Sequence, residues 1–188
     1  MSLDILLISS SIALALIAPI VYSVSMVHGV SKPARMTRFI VWLAASISFI
    51  SLLVEGSTGA IWLAGVFAFR NLFLLGMSFK YGVGGFTRLD LACLAVALLG
   101  LVGWQIVGDP LIALVFAIIA DFIGFIPTFV KTYKDPNSEG PGFYYIETLA
   151  VTLNLILIGA WSQDLLFPGY ILLSNIIILW LIFRKRLA

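Results

Sequence analysis

Seven long apolar stretches, separated by short polar breaks, make up most of the chain. They cover residues 5–25, 36–54, 59–79, 89–107, 111–132, 143–161 and 166–183. A hydrocarbon core about 30 Å thick needs about 20 apolar residues per helix, so each stretch is long enough to cross a bilayer. None alternates polar and apolar residues as a barrel strand does. The pattern therefore predicts an all-α membrane protein with seven transmembrane helices.

The overall composition agrees with this pattern. Of the 188 residues, 62% are hydrophobic and 11% are charged, whereas soluble domains carry about 25% charged residues. This balance excludes a soluble enzyme, a disordered protein and a nucleic-acid binder, and it makes the lipid bilayer an expected partner. The chain has one cysteine, Cys93, and one histidine, His28. A disulfide framework or a metal centre built from these residues is excluded, and we expect no cofactor.

Basic residues collect at one end of the predicted bundle. If the chain crosses the membrane seven times, every Lys and Arg except Arg70 lies at the same end: Lys32, Arg35, Arg38, Lys80, Arg88, Lys131, Lys134, Arg184, Lys185 and Arg186. The breaks at the other end carry only acids: Asp4, Glu55, Asp109 and Asp164. Because cytoplasmic loops are enriched in Lys and Arg, the N-terminus is predicted outside and the C-terminus in the cytoplasm. Asp4 also replaces the basic region with which a signal peptide would begin.

Two halves of the chain share a spacing of distinctive residues. Fourteen residues separate the prolines of each of two pairs, Pro19 with Pro33 and Pro127 with Pro141. The third and seventh spans contain Asn71 and Asn175, respectively. Each asparagine is followed by a phenylalanine eight residues later and by a basic residue nine residues later. We therefore predict parallel 3+1+3 repeats of three-helix bundles, related by an axis along the membrane normal. The predicted domains are a first triple-helix bundle over 1–87, a linker helix over 88–108 and a second triple-helix bundle over 109–188.

These features together resemble a known family. The 3+1+3 order, a proline in the first helix of each triplet, an asparagine in the third, and the run from Pro127 to Tyr133 resemble the SWEET/SemiSWEET/PQ-loop transporter superfamily, and most of all its short prokaryotic seven-helix members. The resemblance implies an integral transporter in the plasma (inner) membrane of a prokaryote. Such a protein would move a small polar solute, either sugar-like, an amino acid or another small metabolite, by alternating access through a midplane pocket.

Polar residues inside the spans are candidates for that pocket. Asn71 and Asn175 lie near the middle of their spans, where an amide must find hydrogen-bond partners. The resemblance implies that this pair lines the substrate pocket; the alternative is a hydrogen bond between helices. The repeat offset pairs Ser46 with Asn154 as candidates for a cavity wall. Trp42 could stack on a ring-shaped solute or simply pack in the core.

Four charged residues within the spans need interior partners. Arg70 and Asp121 lie at mid-span, and each would cost about 2.5–3.5 kcal/mol if it faced lipid. They have similar depth and are expected to pair, as are Glu147 and Arg38 nearer the basic end. Such charges could bind a charged group of the solute, or Asp121 could carry a proton. The alternative is a structural ion pair.

The prolines within the first and fifth spans are candidate hinges. Pro19 and Pro127 lack an N–H and so leave a helical carbonyl without its donor, which kinks a helix. A static kink is the alternative. The hinge interpretation follows from their matched positions in the two predicted repeats.

Other functions remain open at this stage. A seven-helix receptor or sensor that binds a small ligand without transport is the main alternative. An intramembrane enzyme is not expected, because the two acids Asp121 and Glu147 differ in depth and no nucleophile–base pair is apparent. The expected partners are the solute and the bilayer, with no nucleic acid; homo-oligomer formation is left open.

Overall fold

The computed structural model describes residues 3–29, 33, 35–82, 87–159 and 162–184, except the side chains of residues 127, 131 and 138. Within these ranges the chain forms seven long helices and two short 3-10 turns, without a strand. The helices are α1 (Leu3–Val27), α2 (Arg35–Val54), α3 (Ala60–Tyr81), α4 (Arg88–Val107), α5 (Pro110–Lys134), α6 (Pro141–Ile158) and α7 (Leu166–Phe183). All seven are long and apolar enough to cross a membrane. The prediction of an all-α chain with seven helices long and apolar enough to cross a membrane is confirmed for the described residues, with helix ends within three residues of those expected.

Local chemistry explains where these helices begin and end. Thr87 and Asp90 form a reciprocal capping box that starts α4. Gly108 ends α4 in the left-handed region, at φ +77°, and its N–H donates to the Trp104 carbonyl. Such a conformation favours glycine because it has no Cβ. Pro110 then begins α5, at a position where its missing N–H costs no helical hydrogen bond.

The two ends of the bundle differ in charge. We call the basic end the one that holds the connections 28–34, 82–87 and 135–140 and the end of α7. The acidic end holds the start of α1 and the connections 55–59, 108–109 and 159–165. Of the basic residues named above, Lys32, Lys185 and Arg186 lie outside the described residues.

The helices pack in a definite order. Helix α1 packs on α6 and α3, α5 packs on α2 and α7, and α2 and α6 each pack on the helix that follows them in the chain. Helix α4 lies at the periphery, mainly against α5. There the backbone of Gly100 comes so close to Phe116 that an added Cβ would lie 2.4 Å from the Phe116 Cβ. A hydrogen bond from Thr37 Oγ1 to Asp90 Oδ1 (3.0 Å) also joins α2 to α4.

The interior contains separate apolar clusters at different depths. The acidic-half cluster is a buried group of small and large side chains: Ala15, Leu52, Ala60, Leu63, Ala64, Phe67, Leu114, Ala150, Val151, Phe167 and Ile171. A second cluster occupies the basic half, around Tyr22, Met26, Leu74, Phe143 and Ile178. Many large apolar side chains point outward instead. The polar side chains Arg70, Asn71, Glu147 and Asn175 are buried between these clusters, so the bundle is apolar outside and locally polar inside.

A candidate solute-binding cavity

A cavity of about 210 Å³ lies inside the bundle at mid-depth. It extends from the middle of α3 and α7 to Pro33 and Glu139, in two connections at the basic end. Helices α1, α2, α3, α5, α6 and α7 all contribute described lining residues, whereas α4 contributes none. The polar lining residues are Thr37, Arg38, Arg70, Asn71, Asp121, Thr128, Glu139, Glu147, Ser174 and Asn175, joined by the tyrosines Tyr22, Tyr144 and Tyr170.

The described lining of the cavity includes no residue from the connections at the acidic end. Phe67 lines the cavity on that side, and its ring packs against Phe167, with ring centroids 5.6 Å apart at an interplanar angle of 78°. Both rings belong to the acidic-half cluster. An edge-to-face pair of this kind is a favourable arrangement of two rings. The described lining of the cavity therefore reaches connections at the basic end, through Pro33 and Glu139, and no connection at the acidic end.

Polar contacts join helices at the acidic end. Asn154 Nδ2 donates to the carbonyl of Gly59 (3.0 Å), and the Gly59 N–H donates to Asp164 Oδ2 (3.2 Å). The contact is so close that a Cβ at Gly59 would lie 2.7 Å from Ile158 Cγ1. The start of α3 is thereby joined to α6 and to the connection that follows it.

Arg70 and Glu147 form a buried ion pair beside the cavity. Their side chains are 5% and 4% exposed, and Arg70 Nη2 donates to Glu147 Oε1. The Arg70 Cζ also lies 3.5 Å from the centroid of the Phe67 ring, a cation–π contact. The pair links α3 to α6.

The pairing expected from depth alone is wrong for both ion pairs. Arg70 pairs with Glu147 and not with Asp121, and Arg38 instead stacks over the Tyr22 ring, with its Cζ 4.5 Å from the centroid. Depth gives only the height of a residue in the bundle. The partner depends on which helix faces it, and α3 packs against α6.

Asp121 has a partner that the sequence did not suggest. The hydroxyl of Tyr170 donates to Asp121 Oδ2 at 2.7 Å, joining α5 to α7. Asp121 lines the main cavity and also a much smaller adjoining one that it shares with Asn71 and Tyr170. A tyrosine near the start of an apolar span gave no signal of this role, because it is an ordinary residue at a membrane interface.

The predicted pocket residues divide into two groups. Asn71 and Asn175 are 5% and 1% exposed and both line the cavity, from α3 and α7. Asn154, Ser46 and Trp42 do not line it. Asn154 makes the contact with Gly59 described above. The Ser46 hydroxyl donates to the Trp42 carbonyl within α2 (2.8 Å). The Trp42 ring packs on Phe39, with centroids 5.8 Å apart.

The predicted hinge residues lie within continuous helices. Pro19 is buried within α1, which continues on both sides of it. Helix α5 likewise runs through position 127, but the side chain of Pro127 lies outside the described residues. Among the described His, Cys, Asp and Glu side chains, no group of three is placed to hold a metal ion.

Comparisons with protein-family models, with curated proteins and with solved structures found no match to this chain.

Proposed function

We propose that this chain is a membrane transporter of the SWEET/SemiSWEET/PQ-loop type that moves a small polar solute by alternating access. One observation carries the proposal: a polar cavity at mid-depth has described lining residues in connections at one end of the bundle and none in connections at the other. Substrate sites near the midplane, between repeats, are typical of secondary transporters. A cavity of about 210 Å³ is smaller than the roughly 300–1,000 Å³ of sites for drug-sized ligands, which favours a small solute.

The packing order of the helices supports a duplicated arrangement. If the helices of the first triplet, α1, α2 and α3, correspond to α5, α6 and α7 of the second, each packed pair should have a counterpart. The contact of α1 with α6 corresponds to that of α5 with α2, the contact of α1 with α3 to that of α5 with α7, and the contact of α2 with α3 to that of α6 with α7. All of these pairs pack together. Helix α4 has no counterpart. This pattern is the one that two parallel triplets, 1–87 and 109–188, would give with 88–108 as the linker.

The charges of the connections suggest the orientation. Loops rich in Lys and Arg stay in the cytoplasm, so we assign the basic end to the cytoplasm and the acidic end to the outside of a prokaryotic inner membrane. The cavity reaches the basic end. The conformation would then be the inward-facing one, with the Phe67–Phe167 pair on the outer side of the cavity.

Uptake into proteoliposomes tests the proposal. The purified protein is reconstituted, and uptake of labelled sugars, amino acids and other small metabolites is measured with and without a pH gradient. We expect uptake of at least one solute, and the Asn71→Ala/Asn175→Ala variant to lose it while it keeps its melting temperature. Thr152→Ala is the matched control, because that hydroxyl bonds within its own helix and is not part of the cavity lining.

Two outcomes would contradict the proposal. Uptake by the double asparagine variant at the wild-type rate would remove the binding role of the two amides. Saturable binding of a solute without any flux across the membrane would instead favour a receptor or sensor. The same assay on Asp121→Asn examines coupling to protons. If a proton gradient still drives this variant to accumulate solute against the solute's own gradient, Asp121 is excluded as the proton carrier.

A further inference from the structure

Several buried polar atoms around the cavity have no hydrogen-bond partner among the described residues. Arg70 Nε and Nη1, Asn175 Nδ2 and Asp121 Oδ1 are among them. A buried donor or acceptor without a partner is costly, and a charged one is more so. All three residues line the same cavity, on α3, α7 and α5. A molecule in the cavity that supplied these partners would remove the cost.

The unpartnered donors define what kind of group would bind on one side. Arg70 uses Nη2 for Glu147 and lies with its guanidinium against the Phe67 ring. Its two remaining nitrogens and the Asn175 amide are all N–H donors. Hydrogen bonds between a guanidinium and an anionic oxygen are shorter and stronger than neutral ones, and arginine is suited to carboxylates. This side of the cavity is therefore built to receive a carboxylate.

The unpartnered acceptor defines the other side. Asp121 Oδ2 already accepts the Tyr170 hydroxyl, whereas Oδ1 is left to accept a hydrogen bond. Asn71, which adjoins Asp121 in the small second cavity, has an amide that offers one more acceptor as well as donors. A group that donates hydrogen bonds, such as an ammonium or a hydroxyl, would satisfy this side.

We propose, building on the transport function above, that the solute bears a carboxylate held by Arg70 and Asn175 and a neighbouring hydrogen-bond donor held by Asp121. α-Amino acids and α-hydroxy acids share this chemistry. A neutral sugar lacks the carboxylate that the Arg70 side of the cavity requires. Glu147 holds the Arg70 guanidinium in place through Nη2, while the other two guanidinium nitrogens donate hydrogen bonds to the solute.

Titration calorimetry on the purified protein tests this assignment with four probes. They are L-alanine, L-lactate, L-alaninamide, which lacks the carboxylate, and D-glucose. We expect alanine or lactate to bind, and alaninamide and glucose not to bind. Binding of glucose or alaninamide in preference to both acids would overturn the proposal, and so would the absence of binding for all four.

Two variants identify the residues responsible. Arg70→Lys keeps a cation opposite Glu147 but removes the guanidinium nitrogens, and we expect it to weaken binding of the acid by about tenfold or more. Asn175→Ala removes a donor that has no partner in the protein, so it should fold normally and still weaken binding several-fold. Thr152→Ala should bind as the wild type does. Unchanged affinity in a folded Arg70→Lys protein or in Asn175→Ala would refute the assignment.

This inference and the transport function can fail separately. Binding of alanine or lactate that depends on Arg70, without uptake into liposomes, would leave the carboxylate site intact and exclude transport. Uptake of glucose that is unaffected by Arg70→Lys would support transport and exclude the carboxylate site.

Discussion

Removal of one partner of the buried ion pair between Arg70 and Glu147 should lower the free energy of unfolding by several kcal/mol. Both side chains are at most 5% exposed, and breaking such a pair from one side costs about 3–5 kcal/mol because it leaves a buried charge without compensation. Arg70→Met also loses the contact with the Phe67 ring, and a desolvated cation–π contact is worth about 2 kcal/mol. Arg70→Met and Glu147→Leu should therefore each lower the free energy of unfolding by at least about 3 kcal/mol.

The double variant should behave quite differently from the sum of the two single variants. Arg70→Met with Glu147→Leu replaces the pair by apolar side chains, a change that is often neutral or even stabilising. We expect its stability to lie within about 1 kcal/mol of the wild type. The interaction energy of the double-mutant cycle is then several kcal/mol, well above the 0.5–3 kcal/mol range common for residues in contact.

Thermal unfolding in detergent micelles, followed by tryptophan fluorescence, measures this cycle. For a chain of this size 1 kcal/mol corresponds to about 2–4 °C in Tm, so each single variant should melt at least about 6 °C lower. Glu55→Gln changes an exposed acid at the acidic end and serves as the control with unchanged Tm. Single effects that simply add in the double variant would refute the ion pair.

Two further predictions concern helix packing and use the same melting assay. Asn154→Ala leaves the Gly59 carbonyl without its donor and should lower the free energy of unfolding by about 1–3 kcal/mol. Thr152→Ala removes a hydroxyl that bonds within α6 and should have a smaller effect. Equal effects would contradict the interhelical contact. Gly100→Leu places a side chain where even a Cβ would lie 2.4 Å from a phenylalanine Cβ on α5 and should cost about 1–3 kcal/mol. Gly76→Ala meets nothing within 4 Å and should be neutral; a similar loss in both variants would contradict close packing of α4.

The seven long apolar helices were predictable because their signal is local. A span is recognised from its own length and hydropathy, and its ends follow from nearby turn chemistry such as Gly108 before Pro110. The need for Arg70 and Glu147 to avoid lipid also follows from each residue alone. Neither property depends on which helices are neighbours.

The partners within the bundle were not predictable in this way. Depth placed Arg70 opposite Asp121, but the rotation of each helix about its axis and its choice of neighbour decide which side chains meet. Tyr170 is bonded to Asp121 through the packing of α5 on α7, a relation between segments about fifty residues apart. Asn154 shows the same limitation. Its polarity and its repeat offset from Ser46 suggested a cavity wall, yet its amide donates to a backbone carbonyl at the start of α3.

The distribution of side-chain size along the bundle bears on how the proposed transport could proceed. To open toward the acidic end, the helices must separate across the acidic-half cluster, which contains four alanines, Ala15, Ala60, Ala64 and Ala150. Small side chains let helices approach closely in a membrane, and each alanine exposes little apolar area when the helices part. The Phe67–Phe167 pair is a large apolar contact of this cluster next to the cavity. The Arg70 guanidinium lies over the face of the Phe67 ring. A solute that binds Arg70 would therefore change the contacts of an aromatic ring that lines the cavity on its acidic side. Under the proposed function, binding and opening would thus be coupled through a single aromatic ring.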